Sequence, residues 1–332
     1  MIIRENIVGP VHISINRQGE RRTSDTIADQ ADNVLQQLGL DKVCQIVTDS
    51  GGDCKAGRRK FCSRHPWILD SNCACHCLDL LLEDIFKKIE FNNQVADQGN
   101  AIVTYIRSHN LLRGQFKEKS GRTLLKPCDT RFGTTVIMLD RLNDEKTSVT
   151  QTFHSSKADE LYKTLNKPTE KAKFREVLAL VSDLDFWENL TYTLRLTIPV
   201  MHILRVCDNA KNSEAVGHVY MLMLELQEFF RTDTEVKADQ RSKILEFVSS
   251  RWEMLHSPLM DAGYLLNPAY LINEPWTKAN IMDGFHNLVD KWMRFMNSDK
   301  DALSQELMTY IEKAKTHDYV KNIKNLDDCT MF

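Results

Sequence analysis

Long apolar runs are missing from this chain. No stretch approaches the roughly 20 residues needed to span a bilayer. The start, Met1-Ile-Ile-Arg-Glu-Asn, lacks the apolar core and small-residue cleavage site of a secretory signal. Regular disulfide spacing is missing too: nine cysteines, an odd number with no repeating interval, point to a reducing compartment. Charge of one sign is scarce. With a net charge of −3 no global field draws in nucleic acid, so such contacts need local patches. There is no glycine-rich phosphate loop, no Ser/His/Asp order and no His-Glu-x-x-His. Nor is there a fixed-period repeat or a low-complexity tract. The expectation is a soluble intracellular protein with no membrane partner, its 332 residues making two domains or one large one.

What is present divides into two styles. Ile2–Val8 and Val11–Ile15 read as short extended segments around Gly9-Pro10, followed by a turn-like stretch to Thr23. Ser24 or Asp25 can cap a helix whose face carries Ile27, Ala31, Val34, Leu35 and Leu38, and Gly39 is placed to end it. Val43-Cys-Gln-Ile-Val47 reads as a buried strand that meets Thr-Asp-Ser-Gly-Gly-Asp53, so Asp49 falls at the carboxyl end of that strand. A helix over 54–64, a short strand near 67–75 and an apolar helix through Leu78, Leu81, Leu82, Ile85 and Ile89 complete an α/β unit. After about residue 95 only helical periodicity remains. It runs over 101–109, 134–142, 171–180, 186–207, 215–230, 240–255, 279–296 and 303–314, with Pro199 expected to kink the helix over 186–207. The predicted class is α/β plus all-α, with a seam near residue 130.

Several side chains can carry chemistry. Asp49 can hold a divalent cation, although one carboxylate cannot make a two-metal centre; its bland role is to bond nearby backbone amides. The cluster Cys73/Cys75/His76/Cys77 resembles a zinc site in composition only. There is no Cys-x₂-Cys pair, and in an extended segment the three cysteines share one face while His76 points the other way. Two basic runs can meet phosphates: Lys55, Arg58, Arg59, Lys60 and Arg64, then Arg113, Lys117, Lys119, Arg122, Lys126 and Arg131. Trp252, Tyr264 and Trp276 read as core anchors. His256-Ser-Pro258 and Asn267-Pro268 read as helix-end punctuation.

Taken in order, Val47-Thr-Asp-Ser50, Cys73-x-x-His76 with Leu78-Asp-Leu-Leu-Leu-Glu-Asp-Ile85, Thr130-Arg-Phe132, Arg251-Trp252, His256-x-Pro258-Leu259 and Ala262-Gly-Tyr-Leu-Leu-Asn-Pro-Ala-Tyr270 resemble the hAT superfamily of DNA transposases. Within it they resemble the plant-type branch known as DUF659, over nearly the whole chain. The resemblance implies a partial RNase H-like domain over 1–132 and a helical insertion-like domain over 133–332. It implies chemistry by two cations, Mg²⁺ or Mn²⁺, held by Asp, Asp and Glu. Asp49 matches the second Asp and is the one metal ligand expected here. The first Asp, in an Asp-Gly-Trp-Thr-Asp-like segment, would precede Met1, and the Glu, in a Cys-Glu-Arg-like segment, is not reached by Phe332. The family's BED zinc finger and dimerisation segment are not found either. Cys73 and His76 are placed beside the active site, with Cys75 and Cys77 in the core. The aromatic after Thr-Arg stacks on a flipped base in the family; Phe132 either does that or packs in the core, and Arg131 either meets phosphate or caps a helix or pairs with an acid. The resemblance thus implies a nuclear, transposon-derived protein, catalytically incomplete and without a cofactor as it stands, that keeps some DNA binding. The alternatives are a fragment of an active metal-dependent transposase, or a domesticated module that binds a protein partner through its helical part.

Overall fold

The first described element is set by a capping box. The Thr23 hydroxyl accepts from the Thr26 amide at 3.3 Å, and the Thr26 hydroxyl accepts from the Thr23 amide at 2.9 Å. The cap is therefore one residue earlier than Ser24. Helix α1 runs Ser24–Leu38 and stops at Gly39, whose φ of 102° is open to glycine and whose amide bonds Leu35 O. The computed structural model describes residues 23–40, 42–128, 131–208, 215–296 and 300–315. The extended segments expected over 2–15, and most of the turn after them, lie outside the described residues.

Strand β1 (Gln45–Thr48), helix α2 (Gly52–Arg64) and strand β2 (Leu69–Asn72) form one parallel βαβ unit, in register from Gln45↔Leu69 to Thr48↔Asn72. These are the only strands among the described residues. Gln45 Nε2 donates to Ser71 Oγ at 2.8 Å across the pair. Helix α3 (Ala74–Lys88) begins at once, its first turn closed by Cys77 N–H on Cys73 O at 3.0 Å. This overturns the extended reading of 73–77: Cys75 and Cys77 lie on a helix, and the three cysteines do not share a strand face.

The remainder is helical: α4 (Glu90–Ser108), α5 (Asn110–Ser120), α6 (Phe132–Asp144), α7 (Lys146–Phe153), α8 (Ser156–Thr164), α9 (Pro168–Ser182) and α10 (Leu184–Asp208), then α11 (Ala215–Thr232), α12 (Ala238–Leu255) and α13 (Pro258–Leu266). Two 3₁₀ turns (Pro268–Asn273, Pro275–Thr277) lead to α14 (Ala279–Met296) and α15 (Lys300–Lys315). Helix α10 continues through Pro199, whose ring leaves Arg195 O without its helical donor. Pro258 is the first residue of α13 rather than only the stop of α12, because proline suits a helix start where its missing N–H has no partner to lose. Predominantly helical structure is thus the observed class, with the βαβ unit as its α/β part. Among the described residues no helix is long and apolar enough to cross a membrane.

The chain forms two compact units, each discontinuous in sequence: Met1–Cys77, Val206–Glu225 and Trp252–Phe332 in one, Leu78–Arg205 and Leu226–Arg251 in the other. In the first unit Ala28, Leu35, Phe61 and Ile68 form a core that Val43, Ile46, Cys62 and Trp67 flank. Gly57 brings α2 against α1 so closely that a Cβ there would lie 2.8 Å from Ser24 O and 2.7 Å from Ile27 Cβ. Tyr264 is fully buried, stacked on Tyr220 at 4.7 Å between centroids, whereas Trp252 and Trp276 are half-buried. In the second unit Leu81, Ile85, Ile102, Leu139, Leu142, Val177 and Leu190 are buried. A buried Asn92 donates to Ile85 O at 3.2 Å and accepts from Thr193 Oγ1 at 2.9 Å.

Candidate functional site

Asp49 follows β1 directly and is exposed, as a residue at a strand's carboxyl end should be. Its Oδ1 accepts from the Gly51 amide at 3.1 Å, an Asx turn that leads the chain into the N-terminus of α2. The local role expected of a strand-end aspartate is therefore in place. Among the described residues no group of three or more His, Cys, Asp or Glu side chains could hold a metal ion. This donor set does not fit a two-cation centre, and no chemical step through Mg²⁺ or Mn²⁺ is derived from it.

Behind Asp49 lies Arg58, which overturns its assignment as a phosphate ligand. Its side chain is only 2 % exposed, and its guanidinium bonds the Asp70 carboxylate, Thr48 O (3.2 Å), Thr48 Oγ1, Asp49 O (3.3 Å) and Asn72 Oδ1 (2.8 Å). Asn72 passes the connection on, donating to Met254 O at 2.7 Å in the last turn of α12. Arg58 thus holds both strand ends together with its charge matched by Asp70, and it presents no donors outward. Sequence reasoning missed this role because its acceptors sit on two other elements. The one available signal was Asp70-Ser-Asn72, polar residues in a strand that would otherwise carry apolar ones.

The other cations of α2 divide by face. Lys60 Nζ lies 2.6 Å from Asp25 and 2.9 Å from Ser24 Oγ, and its hydrogen bond and charge hold the Asp25 carboxyl below the usual range. Arg64 pairs with Asp29 at 2.8 Å and with Asp32, and His65 Nε2 lies 2.6 Å from Asp32. Three acids of α1 therefore pair with Lys60 and Arg64, whose side chains stay 44 % and 42 % exposed. Lys55 and Arg59, four residues apart on one helical face, remain exposed.

Cys73 and His76 flank the start of α3, half-buried. The Cys73 thiol is pushed well up, first by its contact with the Cys75 thiol and then by burial. Cys75 is pushed up to about 11, first by its hydrogen bond with Cys207 in the last turn of α10. These thiols stay protonated at neutral pH and serve as packing partners. Cys77 is buried, as a core residue.

Arg131 and Phe132 belong to the second unit, at the start of α6. Thr134 Oγ1 fixes the turn before them, accepting from Cys128 N at 2.8 Å and donating to Arg131 O at 2.7 Å. Asp79 Oδ1 accepts from Gly133 N at 2.9 Å, so a protein carboxylate already occupies the positive end of this helix. Phe132 is half-buried, its ring stacked on Phe86 with centroids 6.0 Å apart and Lys87 Nζ 5.5 Å above it. Arg131 is exposed, as are Arg113, Lys117, Lys119, Arg122 and Lys126 of the second basic run.

The geometry defines a mostly helical protein with one parallel βαβ unit, whose first strand ends in an exposed carboxylate beside an exposed cation pair. Residues 8–102 match the family model described as "Domain of unknown function (DUF659)". Among the described residues that match takes in α1, the βαβ unit, α3 and most of α4, under a third of the chain. No curated protein matches.

Proposed function

We propose that this chain is a hAT-type, transposon-derived protein that binds DNA and performs no strand transfer with the residues it has. In this reading residues 1–132 are the RNase H-like part, residues 133–332 the helical insertion-like part, and the protein works in the nucleus. The observation that carries the reading is the division of cations on α2. Arg58, Lys60 and Arg64 are taken up by carboxylates, while Lys55 and Arg59 stay exposed on the helix that follows Asp49. The DUF659 match over residues 8–102 supports it, as does the ordered motif set that resembles hAT transposases. Exposed Arg131 beside half-buried Phe132 supplies a second contact, a cation for phosphate and an aromatic edge for a base.

Duplex DNA titrated into the full chain, followed by fluorescence anisotropy across a salt series, tests the proposal. Log affinity should fall linearly with log salt, with a slope of roughly −0.9 for each phosphate neutralised. The double substitution Lys55→Glu, Arg59→Glu should weaken binding at least tenfold, and a chelator should leave it unchanged. Binding equal in wild type and double variant would remove α2 from the interface. Cleavage of end-containing DNA with Mn²⁺ that disappears in Asp49→Asn would replace this reading with that of an active transposase. Absence of DNA binding together with a stable protein partner would replace it with an interaction module.

A further inference from the structure

Away from α2, within the second unit, an open groove of about 500 Å³ lies between the start of α4 and the first turns of α12. Its lining alternates chemistry in a way no run in the sequence announces. Ile89 and a half-buried Phe91 form the apolar floor, Gln94 and Gln240 present amides, and Lys88 and Lys243 stand on the rim with Asp239. Gln240 is held in place, its Oε1 accepting from Tyr192 OH at 2.8 Å, and the Tyr192 ring tilts against Phe91 with centroids 5.6 Å apart. The lysines around the groove rest on aromatic faces. Lys88 Nζ lies 5.0 Å above the Phe247 ring and Lys237 Nζ 5.7 Å above Tyr192.

We propose that this groove binds a nucleotide unit: the base against Phe91, its amino-bearing edge on Asp239 and the Gln94 and Gln240 amides, its phosphate on Lys88 and Lys243. The argument rests on the match between lining and ligand. A nucleotide is a flat π-surface with donors and acceptors on one edge and an anion at one end, and the groove offers a ring, amides and cations as partners for each. Aromatic side chains set within a basic groove are how single strands are held, because every base has a stackable face. A lysine over a partly exposed ring face is held only weakly. A phosphate can therefore draw Lys88 off the Phe247 ring, while the base uses the separate Phe91 ring. Lys88 also pairs at 2.8 Å with Asp84, a buried carboxylate that Arg251 holds as well at 2.6 Å, so a phosphate can take the exposed Lys88 ammonium while Arg251 keeps Asp84 paired. The site extends the nucleic-acid reading to single strands and uses none of the residues on α2.

The test is binding of fluorescein-labelled oligodeoxycytidine to the full chain at low salt, with free cytidine monophosphate as competitor. Lys243→Gln and Gln94→Ala change exposed side chains and should leave melting unaltered. Lys243→Gln should weaken the oligonucleotide about fivefold and reduce the salt slope by roughly 0.7. Phe91→Leu should weaken it about tenfold or more through lost stacking. Competition by the free nucleotide would make the pocket a nucleotide site in its own right. Its failure, with binding still sensitive to these variants, would make a strand the natural ligand; either result supports the groove. Wild-type affinity in all three groove variants would overturn the proposal. If Lys55→Glu, Arg59→Glu alone removed oligonucleotide binding, the groove would be excluded while the reading of α2 survived.

Discussion

In the first unit, Arg58, Lys60 and Arg64 of α2 end on Asp70, Asp25, Asp29 and Asp32. In the second, Lys87, Lys88 and Lys237 lie over Phe132, Phe247 and Tyr192. A charge run in the sequence advertised the first set, and its most central member is the least available to a ligand. The second set, beyond the neighbours Lys87 and Lys88, forms no run, and its ammonium groups are exposed even where Lys87 pairs with Glu83 and Lys88 with Asp84. Cationic side chains therefore belong to different functions according to what faces them, and a count of nearby lysines and arginines does not separate the two.

The largest test of that contrast is Arg58→Met. Removing it leaves Asp70, Asn72 and the Thr48 carbonyl without their donor beside a buried space. It should cost about 3–5 kcal/mol in urea unfolding. A loss under about 1 kcal/mol, the usual range for exposed pairs, would place Arg58 with the dispensable surface cations. Gly57→Ala comes next. Its added methyl meets Ser24 O and Ile27, which cannot retreat without moving α1, so about 1–3 kcal/mol of destabilisation is expected. Because that contact also holds the acids of α1 over Lys60 and Arg64, the variant should loosen those pairs as well.

Among the described residues of the second unit, ion pairs to buried acids such as Arg251–Asp84 and Arg195–Asp233 resemble the first unit's style. Asp233 has a side chain 3 % exposed and accepts from Arg195 at 2.7 and 2.8 Å. The Arg195 hydrogen bonds, against a counteracting burial effect, hold its carboxyl below the usual range. A depressed folded value means its contribution is present above the unfolded value, near pH 3.9, and is lost as pH falls through the folded one. The wild-type chain should lose stability on acidification below about pH 4 more steeply than Asp233→Asn does. Parallel acid profiles would show the pair to be inert. Smallest is Lys237→Ala, expected to change stability by less than about 1 kcal/mol because its ring contact is exposed. A larger loss would break the distinction between structural and available cations.

Much of the architecture was legible. The strand before Asp49, the helix over 54–64 and the long helices from 134 onward follow from apolar spacing, and they are found close to their expected bounds. Helices α5, α7, α8 and α13 were not expected. Each is short, and α13 lies behind Pro258, where a stop for one helix and a start for the next use the same residue. The residues of the candidate site divided similarly. Asp49 could be placed at a strand end because an apolar, β-branched run meets polar, glycine-containing sequence there, whereas Cys73–Cys77 was read in the wrong periodicity because a short apolar run fits strand and helix equally well.

By itself the sequence determined the mostly helical class, the βαβ unit and the position of Asp49, since these depend on local periods of two and 3.6 residues. Tertiary structure alone decided which cations of α2 face outward, that Arg58 joins two strand ends, and that Lys88 and Phe91 share one groove with Gln240 and Lys243. The reason is reach. Arg58 finds Asp70 and Asn72 at separations of 12 and 14 residues, Asn72 finds Met254 at 182, and Tyr192 finds Gln240 at 48. No local pattern encodes what stands opposite a helical face; only the packing of distant elements supplies it.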